Sequence, residues 1–130
     1  MIKEIHVVAA AIINDQGQIL CCQRGPGRAL ANLWEFPGGK IEKGEDAPSA
    51  LIREIKEELH AELTIHSYLG ENSHIYDFGR VTMQVYLASL AQDYFQLTEH
   101  IQAKWIDKDG LMNLDWAPVD IPFAERLSQK

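Results

Sequence analysis

Glu54, Glu57 and Glu58 crowd together in the run REIKEEL, residues 53 to 59. An α-helix turns about 100° per residue, so the three side chains fall within a sector of about 100°. Carboxylates three and four residues apart on a helix repel by roughly a few tenths of a kcal/mol per pair. Glu57 and Glu58 also sit near the C-terminal end, where the helix dipole disfavours anions. Two local rules broken at one place point to function. Carboxylate oxygens bind hard divalent cations well. REIKEEL alone also fits a solvated helix face, with Arg53 and Glu57 paired across one turn.

The helix that must carry these residues has clear boundaries. Asp46 suits its N-cap, and Pro48 is tolerated in the first turn. Ala47, Leu51, Ile52, Ile55 and Leu59 form one apolar stripe, with the acidic sector beside it. Such a helix packs on a sheet and presents carboxylates along the edge of a cleft. Before it, IHVVAAAII (5–13) reads as a strand buried on both faces. Asn14 to Gly17 is a turn signal, and ILCCQR (19–24) a second strand, expected to pair with the first as a hairpin. Residues 25–34 read as a loop leading to a turn at Pro37-Gly38-Gly39. After the helix, LTIHSYLGE (63–71) alternates as a strand, and 73–90 reads as two strands around a Gly79-Arg80 turn. HIQAKWID (100–107) is another strand, DWAPVD (115–120) an ordered loop, and 121–130 a short helix with Asp120 at or near its N-cap. Strands on both sides of a central helix predict an α/β fold, a mixed sheet with helices on its faces.

A chain of 130 residues with 46% apolar content has room for one domain, 1–130, and one core. Acids outnumber bases 19 to 12, for a net charge of −7. That argues against a grip on long nucleic acid, which depends on Lys and Arg. It leaves open a phosphate substrate that arrives with a metal ion. Cys21 and Cys22 are adjacent, cannot staple distant segments, and read as reduced thiols in a strand. The apolar N-terminal stretch is too short to span a bilayer and lacks a cleavage pattern after it, so no membrane partner and a cytoplasmic location are expected.

Residues 39 to 61 resemble the Nudix box: Gly, five residues, Glu, seven residues, then Arg-Glu-aliphatic-any-Glu-Glu-any-Gly-aliphatic. The corresponding residues are Gly39, Glu45, Arg53, Glu54, Ile55, Glu57, Glu58, His60 and Ala61. Every charged position matches. His60 replaces a Gly and Ala61 a larger aliphatic residue. Gly stands there because helices often end in a left-handed conformation, which His adopts at a cost of about 1 kcal/mol. ILCCQR, WEFPGGK, LTEHIQAKW and DWAPVDIPF extend the likeness to the MutT-type nucleoside triphosphate pyrophosphohydrolases. DWAPVDIP is especially similar to their CTP-hydrolysing members.

The resemblance implies the Nudix α/β/α sandwich and magnesium-dependent hydrolysis, with manganese as a possible substitute. It implies metal ligation by Glu54, Glu57, Glu58 and the Gly38 carbonyl, with Arg53 orienting one glutamate. Glu54 or Glu99 is the general base. Arg24, Glu35, Phe36, Gly38, Lys40 and Asp120 fall at substrate-binding positions. Phe36 suits an apolar wall for the base or a core aromatic. An ionised Asp120 only accepts hydrogen bonds, which suits cytosine or guanine and disfavours uracil and thymine. The implied reaction releases a nucleoside monophosphate and pyrophosphate from CTP, dCTP analogues or oxidised dGTP, in nucleotide-pool sanitising, by a monomer or homodimer. Two other readings stay open: a Nudix hydrolase of ADP-ribose, NADH or dinucleoside polyphosphates, and a non-catalytic nucleotide-binding module.

Overall fold

The computed structural model describes residues 2–92 and 94–129. In chain order its strands and helices are β1 (Glu4–Ile12), β2 (Ile19–Arg24), β3 (Trp34–Glu35), β4 (Gly38–Lys40), α1 (Ala47–Leu59), β5 (Leu63–Tyr76), β6 (Gly79–Leu90), β7 (His100–Ile106) and α2 (Ile121–Ser128). One sheet has the order β4-β1-β6-β5, and the second β3-β2-β7. β1 runs parallel to β6 and antiparallel to β4, which makes the larger sheet mixed, as the sequence predicts.

β1 lies at the centre of the packing, and its alternation builds two apolar layers. Val8, Ala10 and Ile12 meet Leu51, Ile55 and Leu59 of α1. Ala9 and Ala11 lie in the layer that holds Phe123, Ala124 and Leu127 of α2. The small alanines let backbone and helices approach closely. Cys21 and Cys22 are buried free thiols of β2, one in each layer. Among the described residues, no helix is long and apolar enough to cross a membrane.

Several sequence expectations are corrected. β1 and β2 do not form a hairpin. The Asn14 turn exists, its side chain accepting from the Gln16 and Gln18 amides. The strands then splay into different sheets, joined at the Ile13–Ile19 bridge. The edges of β1 are taken by β4 and β6, and those of β2 by β3 and β7. Residues 63–76 form one strand, not two, and the following turn is Asp77-Phe78, with Gly79 already in β6. The single strand bends through register shifts near Ser67 and Gly70. Ile52 leaves the apolar stripe and is 45% exposed, while Ala50 is buried. Pro118–Asp120 forms a 3-10 turn within the expected loop. Asp120 precedes α2, but its side chain makes no cap bond there.

Candidate active site

α1 starts and ends as its sequence dictates. Asp46 caps it, its side chain accepting from Ser49 N–H at 2.8 Å. His60 closes it in the left-handed region, at φ 53° and ψ 40°. The segment before β7 covers the carbonyls left open at the C-terminus. Thr98 Oγ1 donates to the carbonyls of Glu57 and Glu58, and Gln96 N–H to that of Leu59. This docking carries the next residue, Glu99, to the acidic end of α1.

Across the helix, β4 presents two glycines. A Cβ on Gly38 would overlap the Val8 carbonyl, and one on Gly39 would overlap the Glu54 carboxylate. The pair therefore permits two close approaches, strand to strand and strand to acid. Arg53 is the hub beside them. It holds Glu45 through two bonds, Nε–Oε2 at 2.7 Å and Nη2–Oε1 at 2.9 Å. It also reaches Glu57 at 3.0 Å, Glu54 at 3.4 Å and the Lys40 carbonyl at 3.2 Å. The Arg53 hydrogen bonds and the Glu42 backbone amide hold the Glu45 carboxyl down at about 2.

The cavity above this end of α1 has a volume of about 430 Å³. It gathers Gly38, Lys40, Glu54, Glu58 and Glu99 with Arg24, Glu35, Phe36 and Asp120. Glu57 and Arg53 lie outside its lining. Glu57 faces Arg53 and is half-exposed. Among the described residues, no three His, Cys, Asp or Glu side chains are gathered closely enough to hold a metal ion. Like-charge repulsion and the pairing of Glu57 with Arg53 account for the separation.

Glu58 is the anomaly. It lies on the buried face of α1, 5% exposed, and its Oε1 has no hydrogen-bond partner. Burial, then the charges of Glu54, Glu99 and Glu35, push its carboxyl up to about 9, against a weaker pull from the Gly38 backbone. Burial also raises Glu54, with Arg53 opposing. A buried carboxyl oxygen without a partner costs stability. A divalent cation that drew together the oxygens of Glu54, Glu58, Glu99 and the Gly38 carbonyl would supply the missing charge, and an all-oxygen donor set of this kind is what a hard cation takes.

The opposite wall is built by β3. Trp34 exchanges backbone bonds with the 115–117 segment: its N–H donates to the Asp115 carbonyl and its carbonyl accepts from Ala117 N–H, both at 2.8 Å. This brings Asp120 over β3, where Oδ2 accepts from Phe36 N–H at 3.0 Å. That bond replaces the expected helix cap. Burial, then the charge of Glu35, holds the Asp120 carboxyl well above the usual range. Burial thus works against the ionised, accept-only form expected from the sequence. Phe36 is 3% exposed and packs on Trp116 with centroids 4.7 Å apart, so its ring belongs to the core. The aromatic surface left to the cavity comes from Tyr76 and Phe78, stacked with centroids 5.1 Å apart. Neither is legible in the sequence, because the Asp77-Phe78 turn decides which way the two rings face.

A profile of the NUDIX domain matches residues 3–127. The chain belongs to the Nudix family. This Nudix hydrolase is 35% identical over 123 residues to the CTP pyrophosphohydrolase of Escherichia coli K12, covering 95% of this chain and 90% of that protein. It is 26% identical over 127 residues to the 8-oxo-dGTP diphosphatase of the same strain, covering 98% of both. A solution structure described as the DNA mismatch repair protein MutT, a Nudix hydrolase of methicillin-resistant Staphylococcus aureus 252, superposes with a TM-score of 0.80. That match has 42% identity over 99% of this chain and 98% of the other. The Nudix fold expected from the sequence and its enzyme class, hydrolysis of a phosphoanhydride, thus both stand.

Proposed function

We propose that this Nudix enzyme hydrolyses nucleoside triphosphates, ribo or deoxy, to the monophosphate and pyrophosphate with a divalent cation, magnesium first and manganese as a substitute. The observation that carries this reading is the buried Glu58, its Oε1 without a partner, set beside Glu54 and Glu99 at one end of a cavity of about 430 Å³. The full-length likeness to a CTP pyrophosphohydrolase and an 8-oxo-dGTP diphosphatase supports triphosphates as substrates and nucleotide-pool sanitising as the role.

Glu54, Glu58, Glu99 and the Gly38 carbonyl would hold the cation, with Glu57 joining when it leaves Arg53. When bound, the cation offsets phosphate charge and acidifies water. Glu54 suits the general base, because burial already lifts its carboxyl above the ordinary value. Glu99 is the other candidate. Arg53 keeps the box acids in place through its fork on Glu45. Lys40 and Arg24 supply positive charge to the phosphates and nucleotide. Tyr76 and Phe78 offer an aromatic wall for the base. Asp120, with Oδ2 bonded to Phe36 N–H, offers its other carboxyl oxygen to a polar edge of the base.

Pyrophosphate release across CTP, dCTP, dGTP and 8-oxo-dGTP, with magnesium titrated from zero, tests the proposal. Monophosphate and pyrophosphate in equal amounts are expected. AMP with a sugar phosphate from ADP-ribose, and no turnover of any triphosphate, would move the enzyme to another Nudix class. Nucleotide binding without any cleavage would mark it as a binding module.

A further inference from the structure

His100 belongs to none of the roles above, yet its side chain is only 2% exposed in the wall of the cavity. It opens β7 opposite Arg24, at the register shift that follows Gln23 in β2. Its Nε2 lies 2.8 Å from Glu35 Oε2. The other Glu35 oxygen accepts from Arg24 Nη1 at 3.0 Å. Arg24 Nε donates to the carbonyl of Ala29, a cavity-lining loop residue, at 2.8 Å. Burial alone would raise the Glu35 carboxyl, but the bonds and charges of His100 and Arg24 hold it below the ordinary value. Glu35 is thus an ionised acceptor, and His100 Nε2 carries the proton between them. The order His100–Glu35–Arg24 runs from the buried wall to the open cavity.

A salt bridge to Arg24 alone would leave the Glu35 carboxylate free to turn. His100 pins its second oxygen, which fixes the carboxylate plane and so the guanidinium fork. The arrangement also has a cost that packing does not explain. His100 Nδ1 is buried with no hydrogen-bond partner, a penalty that an aliphatic side chain would avoid. A residue that lowers stability at the wall of a binding cavity is expected to serve the ligand.

We propose that His100 is a positioning residue for the nucleotide: through Glu35 it sets the orientation of the Arg24 guanidinium in the cavity. The inference rests on the nucleotide-binding role given to Arg24. The remaining N–H groups of that guanidinium meet the nucleotide, and His100 acts on affinity without touching it.

The test is isothermal titration of the wild type, R24A, H100L, H100Q and R24A/H100L with α,β-methylene analogues of CTP and dGTP at fixed magnesium. These analogues bind without turnover. H100L should weaken binding about tenfold, the lower end of what loss of an outer-shell partner costs. H100Q, whose amide reaches Glu35 as a donor, should bind close to wild type. R24A/H100L should match R24A within about twofold, because the histidine has nothing left to orient. A merely structural role would instead lower the melting temperature of both His100 variants and weaken R24A further. Unchanged affinity in folded H100L, an H100Q as impaired as H100L, or an additive double variant would overturn the proposal. Should H100L not fold, H100Q against H100N, whose shorter amide stops short of Glu35, decides in the same way. An R24A that binds like wild type would sink the reading of Arg24 itself, and the inference with it.

Discussion

Replacing Glu58 by Gln keeps the shape of a buried side chain and removes its titration. Glu58 is 5% exposed and its carboxyl is pushed up to about 9 from 4.5. Between those values the folded chain holds a proton that the unfolded chain has lost. Stability then falls as pH rises, by about 1.4 kcal/mol per pH unit for one proton. Across the whole window this reaches about 6 kcal/mol, a large part of the roughly 5–15 kcal/mol that holds a domain folded. Gln, neutral throughout, does not contribute that slope. In chelator at pH 5, E58Q and wild type should unfold at similar urea concentrations. By pH 9 wild type should be less stable than E58Q by several kcal/mol. Millimolar magnesium should restore wild type at high pH, where the ionised carboxylate gains a partner, and leave E58Q unmoved. Turnover of E58Q should fall by orders of magnitude although it folds. Parallel stability profiles for the two proteins between pH 5 and 9 would refute the reasoning, since Glu58 would then titrate as an ordinary acid.

Four further outcomes follow from the site. In G39A the new Cβ meets the Glu54 carboxylate, so kcat should drop by about a hundredfold while the melting temperature changes little. G38A, which meets the rigid Val8 carbonyl instead, should lower the melting temperature by several degrees. D120A leaves the buried Phe36 amide unpaired and should cost about 1–3 kcal/mol in urea unfolding, whereas D120N retains an acceptor and should stay near wild type. H60G relieves a left-handed residue and should stabilise the chain by about 1 kcal/mol without altering turnover.

The helix and its caps were legible because their causes are local. Asp46 bonds to an amide three residues away, and His60 takes the left-handed turn that the box position predicts. The strands were legible as apolar or alternating runs, but their partners were not. Asn14 makes its turn as expected, yet β1 and β2 leave it for different sheets, because strand pairing depends on every edge in the fold. Within α1, periodicity placed Glu54, Glu57 and Glu58 in one sector but could not see what stands opposite each. Tertiary packing buries Glu58, leaves Glu54 under the glycine strand and gives Glu57 to Arg53.

The residues of the box, by type and spacing, determined the family and the reaction class, because metal chemistry needs acids at helical intervals and glycine where a strand comes close. Tertiary structure alone decided the electrostatics. It shifted the Asp120 carboxyl up and the Glu35 carboxyl down, although both are carboxylates within one cavity. Asp120 is closed in with a lone backbone donor, whereas Glu35 stands between Arg24 and His100. Burial disfavours charge and a nearby cation or donor restores it. That balance is set by neighbours up to 84 residues apart in the chain, which no local pattern records.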